Sequence, residues 1–178
     1  MACLLLSGAT LGCKDNTGGI QKFYVANYSA ATITYNTQGV ITGATGINGA
    51  SAFFTFEQRN EVGEFNQEGA HSVENGTNFW TQTANLTFYK NQAGLRDLLY
   101  TLAQARVLVI ALDQNGKYFL MGQQNGADVT ASSLNAGKAY GDLNGSVVTL
   151  TAKEPSPARE IAASTFATFT VNTTSYVA

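Results

Sequence analysis

The chain has 178 residues, of which 44% are hydrophobic and only 12% are charged, and its formal net charge is −2. Tight nucleic-acid binding needs several Lys or Arg side chains to displace phosphate counterions, so a chain without a basic cluster is not expected to bind DNA or RNA. No stretch reaches the about 20 apolar residues of a membrane-spanning helix. High Asn, Gln, Thr, Ser and Gly content at low charge predicts one β domain over residues 1–178, covered largely by copies of itself.

The first nineteen residues, MACLLLSGATLGCKDNTGG, have one feature of a lipoprotein signal, an apolar run followed by Leu-Gly-Cys. A secretory signal carries Lys or Arg before an apolar run of about 7 to 15 residues. Here the first basic residue is Lys14, and the run 3–6 is interrupted by Ser7 and Gly8. We therefore favour an N-terminal arm over residues 1–17, with a short β-forming segment. Cys3 and Cys13 are expected to be free thiols, with a local disulfide as the alternative.

The segment that follows Gly18 is dense in aromatic and β-branched residues and is broken by Asn-Thr-Gln-Gly, which predicts a strand followed by a hairpin. SAFFTFEQRN predicts a strand that is apolar on both faces at its start. HSVENGTNFWTQTANLTFYK predicts a long strand interrupted by a turn or bulge near Asn75-Gly76. Its alternation from Phe79 onward puts Trp80, Leu86 and Phe88 on the core face.

One segment has helical periodicity instead. In NQAGLRDLLYTLAQA, leucines recur at i, i+3, i+4 and i+7, which predicts an amphipathic helix around residues 93–105. RVLVIALDQNGKYFLMG then predicts a tight hairpin, in which Asn115-Gly116 supplies the two positive φ angles of a type I′ turn. Its first strand, Val107 to Leu112, is an almost continuous apolar run and is expected to lie deep between other elements.

The remaining segments alternate between polar loops and strands. Residues 123–145 are treated as a polar loop, SVVTLTAKE alternates as a strand, and Pro155 and Pro157 mark a turn. Residues 164–178 are predicted to form a C-terminal strand or arm. The pattern predicts a mainly β fold of about eight to ten strands in two packed antiparallel sheets, sandwich-like or barrel-like, with the helix at 93–105 on one flank.

Residues that carry catalytic or ligand chemistry are few. The chain has no HExxH, GxSxG or Walker A motif, and GATGINGA lacks the Lys-Ser/Thr of a phosphate loop. The single histidine, His71, has no neighbouring Cys or second His and is expected to be a solvated loop residue. We predict no enzymatic activity, no cofactor and no metal site.

Five of the twelve acidic residues lie within eighteen residues, against one base, Arg59. Gly63 and Gly69 favour a long hairpin or extended loop over a helix in this segment. One interpretation is a loop kept soluble by its charge, and the other is a surface facing an anionic molecule that must not bind. The acidic residues are Glu57, Glu61, Glu64, Glu68 and Glu74.

Four segments in order resemble the tail tube proteins of tailed bacteriophages: CKDNTGGIQKFYVANY, ENGTNFWTQTANLTFYK, LRDLLYTLAQARVLVIALDQNGKYFLMGQQNGADVT and AYGDLNGSVVTLTAKEPSPA. The resemblance spans residues 13–158. It implies a virion protein, made in the bacterial cytoplasm, whose subunits close hexameric rings that stack into a tube. Inner strands of such rings join into one β-barrel around the channel for DNA ejection, which removes exposed sheet edges.

The resemblance also gives the acidic residues two alternative roles. They line the channel and repel phosphates over a Debye length of about 8 to 10 Å, or they contact the neighbouring ring. The expected partners are copies of the chain and other tail proteins, while DNA passes through without specific binding and no membrane is involved. The N-terminal arm is suited to pair with a sheet edge of a neighbouring subunit through Cys3, Leu4, Leu5 and Leu6.

Two other functions remain open at the level of sequence. The first is a different phage structural protein with a similar β core, a head decoration or tail completion protein. The second is a secreted or lipid-anchored β-sandwich adhesin or pilin, in which Cys13 carries the lipid.

Overall fold

A computed structural model describes residues 8–9, 11–47 and 52–172. These residues contain twelve strands and two helices, more strands than the alternation patterns predict. The helices are α1 (Ala93–Gln104) and α2 (Ala163–Phe166). The strands are β1 (Ile20–Asn27), β2 (Thr32–Tyr35), β3 (Ile41–Thr45), β4 (Phe53–Glu57), β5 (Glu64–Ser72), β6 (Thr77–Tyr89), β7 (Val107–Asp113), β8 (Tyr118–Met121), β9 (Asp128–Asn135), β10 (Gly145–Glu154), β11 (Arg159–Ile161) and β12 (Val171–Asn172).

The strands form two sheets. The large sheet has eight strands in the order β12-β4-β1-β7-β8-β11-β3-β2, and the small sheet has four in the order β5-β6-β10-β9. The small sheet is antiparallel throughout. Among the described residues neither sheet closes on itself, so the mainly β sandwich is confirmed and the barrel-like alternative does not describe the single chain.

The large sheet is mixed, whereas the sequence predicted antiparallel pairing only. Two pairs are parallel, β11 with β3 and β12 with β4. Each parallel pair includes a short strand near the C-terminus, β11 or β12, which is separated from its parallel partner by many residues and does not form a hairpin with it. Parallel pairing needs such a separation, because a tight turn joins only antiparallel neighbours.

The main core lies between the two sheets and extends beneath α1. Phe23 of β1, Leu86 of β6 and Leu150 of β10 are fully buried in it. The position of β7 in the fold explains why its sequence is almost continuously apolar. Alternate residues such as Val109 face this core and Ile110 faces the opposite side, so both faces of β7 are buried.

The opposite face of the large sheet is covered by the C-terminal segment. The Phe166 ring of α2 stacks on Tyr118 with 4.1 Å between ring centroids, and the Phe169 ring lies 5.6 Å from that of Phe53. For residues 164–178 the sequence predicted a strand or arm; the described part contains the end of α2 and the two-residue strand β12. Residues 173–178 and the predicted arm segment Cys3 to Leu6 lie outside the described residues.

Helix α1 is where the leucine spacing predicted it. Leu99 and Leu102 are buried, and Leu95 and Leu98 pack partly against the main core. Its N-cap residue, Gln92, makes no side-chain capping hydrogen bond. Packing of the leucine stripe therefore stabilises this helix more than its ends do.

The β7–β8 hairpin is present, but the predicted type I′ turn is wrong. Of Asn115 and Gly116 only Gly116 has positive φ, at 77°. Asp113 N–H donates to the Lys117 carbonyl at 3.0 Å, so the hydrogen-bonded pair that closes the hairpin encloses a loop of three residues, 114–116. The Asp113 carboxylate accepts from the N–H groups of Asn115 at 2.9 Å and Lys117 at 2.7 Å. These bonds hold Asn115 at ordinary φ, so a single left-handed glycine closes the longer loop.

Candidate functional site

The outward side of the small sheet is a polar surface that we call the polar face. On β6 the side chains of Gln82, Ala84 and Leu86 are buried, and Trp80 and Phe88 are half-buried on the same side, which confirms the predicted core face. Alternate residues of a strand point to opposite faces, so the intervening side chains point outward. With their register partners they make up the polar face, whose polar members include Glu64, Asn66, Glu68, Thr81, Thr83, Asn85, Thr87, Asp128, Thr149, Thr151 and Lys153, together with Thr130, which contacts Thr151. The same side also carries the apolar residues Phe79, Tyr89 and Val147.

Hydrogen bonds cross the polar face from strand to strand. Asn85 Nδ2 donates to Glu64 Oε2 at 2.9 Å, and Thr149 Oγ1 donates to Asn85 Oδ1 at 2.8 Å. The hydroxyls of Thr130 and Thr151 are 2.9 Å apart. The middle of the polar face is therefore an ordered array of short, mostly uncharged side chains on adjacent strands, with Phe79 and Tyr89 at its two ends.

Glu64 is the acidic residue that the polar face holds most firmly. The hydrogen bond from Asn85, followed by one from Asn66 Nδ2, holds the pKa of the Glu64 carboxyl below its ordinary value. Both bonds favour the charged form. The carboxylate thus keeps its negative charge at pH values where an unpartnered glutamate begins to protonate.

We expect Asn85→Ala to raise the pKa of Glu64 toward its ordinary value, and Asn66→Ala to raise it less. A lowered folded-state pKa stabilises the folded chain above the ordinary glutamate pKa, and that contribution is lost as pH falls through the lowered value. An NMR titration of the Glu64 side chain measures the shift. Thr87→Ala, on the same face, is the control; an unchanged Glu64 pKa in Asn85→Ala would contradict the assignment.

The five acidic residues of the sequence cluster do not form one surface. Glu64 and Glu68 lie on the polar face, on β5. Glu57 ends β4 in the large sheet, where its carboxylate is 2.8 Å from Lys22 Nζ. Glu61 lies in the β4–β5 connection with φ at 64°, and Glu74 lies in the β5–β6 turn. Only two of them are therefore placed to act together.

Strands β5 and β6 form a hairpin that extends past the rest of the small sheet. β10 pairs with β6 only as far as Trp80, so residues 70–79, which we call the hairpin tip, have no third strand beside them. The turn predicted at Asn75-Gly76 is confirmed. His71 was predicted in a loop but lies in β5, where it is exposed, with Nδ1 at 2.9 Å from Asn78 Oδ1 and its ring edge-on to Trp80.

The small sheet ends on both sides in long strands that pair with nothing further among the described residues. β5 has nine residues and β9 has eight, whereas the edges of the large sheet, β12 and β2, have two and four. From Val129 to Asn135 the β9 edge has no charged residue and no proline. Charged residues and prolines normally protect a sheet edge against pairing with another chain.

Strand β9 lies within residues 123–145, which were predicted to be a loop, and this prediction is wrong. The strand contains Ser132, Ser133 and only two large apolar residues, Val129 and Leu134. Small polar residues have weak β propensity, and this segment is a strand because it pairs with β10 along its length, apart from one register irregularity at Thr130. Its one weak signal is apolar Val129, which packs against the main core.

Two buried polar side chains fix the β8–β9 connection to the small sheet. Gln82 accepts from Gly122 N–H at 3.1 Å and donates to the Ser156 carbonyl at 3.2 Å. Glu154, only 2% exposed, accepts at Oε1 from the N–H groups of Gln124 at 3.0 Å and Asn125 at 2.8 Å. Sequence gave no indication of either role, because both residues lie at ordinary strand positions.

Glu154→Ala is expected to lower the free energy of unfolding by about 1–3 kcal/mol, because two partly buried N–H groups lose their acceptor. Glu154→Gln keeps an amide oxygen at the same place and is expected to cost less. Chemical denaturation of both variants measures the difference. Equal losses in the two variants would show that the hydrogen bonds to Oε1 do not account for the effect.

Within residues 8–9, 11–47 and 52–172 no three His, Cys, Asp or Glu side chains are grouped so that they could hold a metal ion. No helix in the same part of the chain is long and apolar enough to cross a membrane. The chain matches no protein-family model and no curated protein.

Proposed function

We propose that this chain is a non-enzymatic structural protein that assembles with copies of itself into the tail tube of a bacteriophage, the channel through which DNA is ejected. The observation that carries the proposal is the small sheet with two long edges that pair with nothing further among the described residues, one of them, β9, without charge or proline from Val129 to Asn135. A single chain that left such edges open would risk uncontrolled pairing. Ordered pairing between copies removes both edges at once.

The order of the strands suits ring closure. Directions alternate along β5-β6-β10-β9, so β5 and β9 run antiparallel to each other. When copies are related by rotation about one axis, β9 of one subunit meets β5 of the next in antiparallel orientation. A continuous antiparallel barrel therefore forms without a change in any strand's direction.

The resulting barrel has the width that a DNA channel needs. Six copies of the four-stranded sheet supply about 24 strands, and at about 4.8 Å per strand the circumference is about 115 Å and the diameter about 37 Å before strand tilt widens it. Barrels of 16–18 strands already enclose an aqueous channel. The Thr and Asn side chains in the middle of the polar face are short and take up little of this width.

The polar face is the side of the small sheet that we assign to the channel. Its opposite side is buried against the large sheet and α1, so the bulk of each subunit lies outside the ring. Glu64, Glu68 and Asp128 outnumber Lys153 on this face. In a ring their charges repeat in every subunit and repel phosphates within about 8 to 10 Å.

Concentrating the purified protein is expected to yield hollow tubes or six-fold rings in negative-stain electron microscopy, with a matching rise in sedimentation coefficient. A head decoration protein would bind capsids without forming tubes, and a lipid-anchored adhesin would show cleavage before Cys13 in mass spectrometry of the N-terminus. A monodisperse monomer at high concentration would contradict the proposal.

A further inference from the structure

The sequence contains five Asn-Gly pairs, and four of them lie within the described residues. Asn-Gly is the dipeptide in which the backbone nitrogen of the second residue most readily attacks the side-chain amide carbon of the first, because glycine has no Cβ to obstruct the approach. The reaction needs a free asparagine side chain and a free glycine N–H. The four pairs begin at Asn75, Asn115, Asn125 and Asn144.

Two pairs in hairpin and loop positions are held by hydrogen bonds. Asn115 Nδ2 donates to the Thr17 carbonyl at 2.8 Å, and Gly116 N–H donates to the Asp113 carbonyl at 3.3 Å. Asn125 Nδ2 donates to the Lys153 carbonyl at 2.7 Å. The following Gly126 is buried, with its N–H on the Gly122 carbonyl at 3.0 Å. In both pairs the amide and the attacking nitrogen are engaged.

The third pair is held by the small sheet. Asn144 Oδ1 accepts from Asn91 Nδ2 at 2.9 Å, and Gly145 is buried at the start of β10, paired on both sides. Rotation of Gly145 toward the Asn144 side chain would break the end of the sheet.

Asn75-Gly76 in the hairpin tip differs from these three. Within the described part of the chain, the Asn75 side chain and the Gly76 N–H make no hydrogen bond, and the one bond of Asn75 is from its backbone N–H to Ser72 Oγ at 3.3 Å. Both residues are exposed. Beyond Gly76 and its two chain neighbours, no atom of the described residues lies within 4 Å of the position where a Cβ of Gly76 would stand, so the turn has room to rearrange.

We propose that Asn75 is a site of spontaneous deamidation. The deprotonated Gly76 nitrogen bonds to the Asn75 side-chain carbon, the C–N bond of the amide breaks, and ammonia leaves with the proton that the nitrogen gave up. Water then opens the cyclic imide at either carbonyl, giving aspartate or isoaspartate. The product places a second carboxylate beside Glu74, and the isoaspartate form also lengthens the main chain of the turn by one carbon.

The test is peptide mapping by mass spectrometry after the folded full chain is incubated in mildly alkaline buffer. Conversion at Asn75 is expected at least about fivefold faster than at Asn115, Asn125 or Asn144, because each of those must first break hydrogen bonds. In denaturant the four rates are expected to converge, since the dipeptides are the same. Asn75→Gln should abolish conversion in the tip.

Equal rates at the four sites in the folded chain would overturn the inference, as would an unconverted Asn75 in a folded chain whose denatured form converts. The outcome does not depend on self-assembly, because the experiment is done on dilute protein.

Discussion

Of the two variants Ser132→Pro and Ser133→Pro, one is expected to abolish ring and tube formation while its subunit stays folded. In the antiparallel ladder these residues face Val148 and Val147 of β10, and the backbone N–H groups of successive residues point alternately toward β10 and toward the open edge. Proline is tolerated where its missing N–H faces outward. There it removes the donor that a neighbouring β5 strand would need.

The other proline variant serves as the comparison. Its proline removes a backbone hydrogen bond to β10, which is expected to lower the free energy of unfolding by roughly 1–3 kcal/mol. Thermal unfolding separates the two variants, and sedimentation velocity with electron microscopy reports assembly. Ser132→Ala and Ser133→Ala are expected to assemble like the parent chain. Tubes formed by both folded proline variants would show that β9 does not join subunits.

In the proposed tube, the double change Glu64→Lys and Glu68→Lys is expected to make the channel bind DNA instead of repelling it. Each subunit then presents new ammonium groups on the polar face, repeated around the ring. Contacts with several phosphates make binding steeply dependent on salt, with a loss on the order of 10³ in affinity between about 50 and 200 mM salt. Fluorescence anisotropy of a short labelled duplex with assembled tubes measures this binding.

Glu57→Lys with Glu61→Lys is the matched control, because it changes the charge equally but lies off the polar face. The control tubes are expected to bind the duplex weakly. Equal binding by the two double variants would mean that the polar face does not line the channel.

Elements with strong apolar periodicity could be predicted from the sequence. The leucine stripe of α1, the doubly buried β7 and the core face of β6 all follow from residues that must leave water. Elements held by tertiary contacts could not. Strand β9 has little apolar pattern of its own, and the three-residue β7–β8 loop depends on hydrogen bonds to the Asp113 carboxylate, which compete with the Asn-Gly preference.

The site shows the same division. The acidic cluster was visible in sequence, but the fold distributes its members over both sheets, the β4–β5 connection and the β5–β6 turn, and only Glu64 and Glu68 share the polar face. Most of the remainder of that face comes from Thr and Asn positions on all four strands, which become neighbours only through strand pairing. Alternation in the sequence shows which residues share a side of one strand. Only the strand order and register of the structure show which residues of neighbouring strands lie side by side.

The most direct test of the proposed function is a side-chain-resolution electron cryomicroscopy map of tubes grown from the purified chain. We predict a six-fold ring in which β9 of each subunit pairs antiparallel with β5 of the next and the polar face lines the lumen. A tube with the large sheet on its inner wall, or with β5 and β9 unpaired between subunits, would contradict this account.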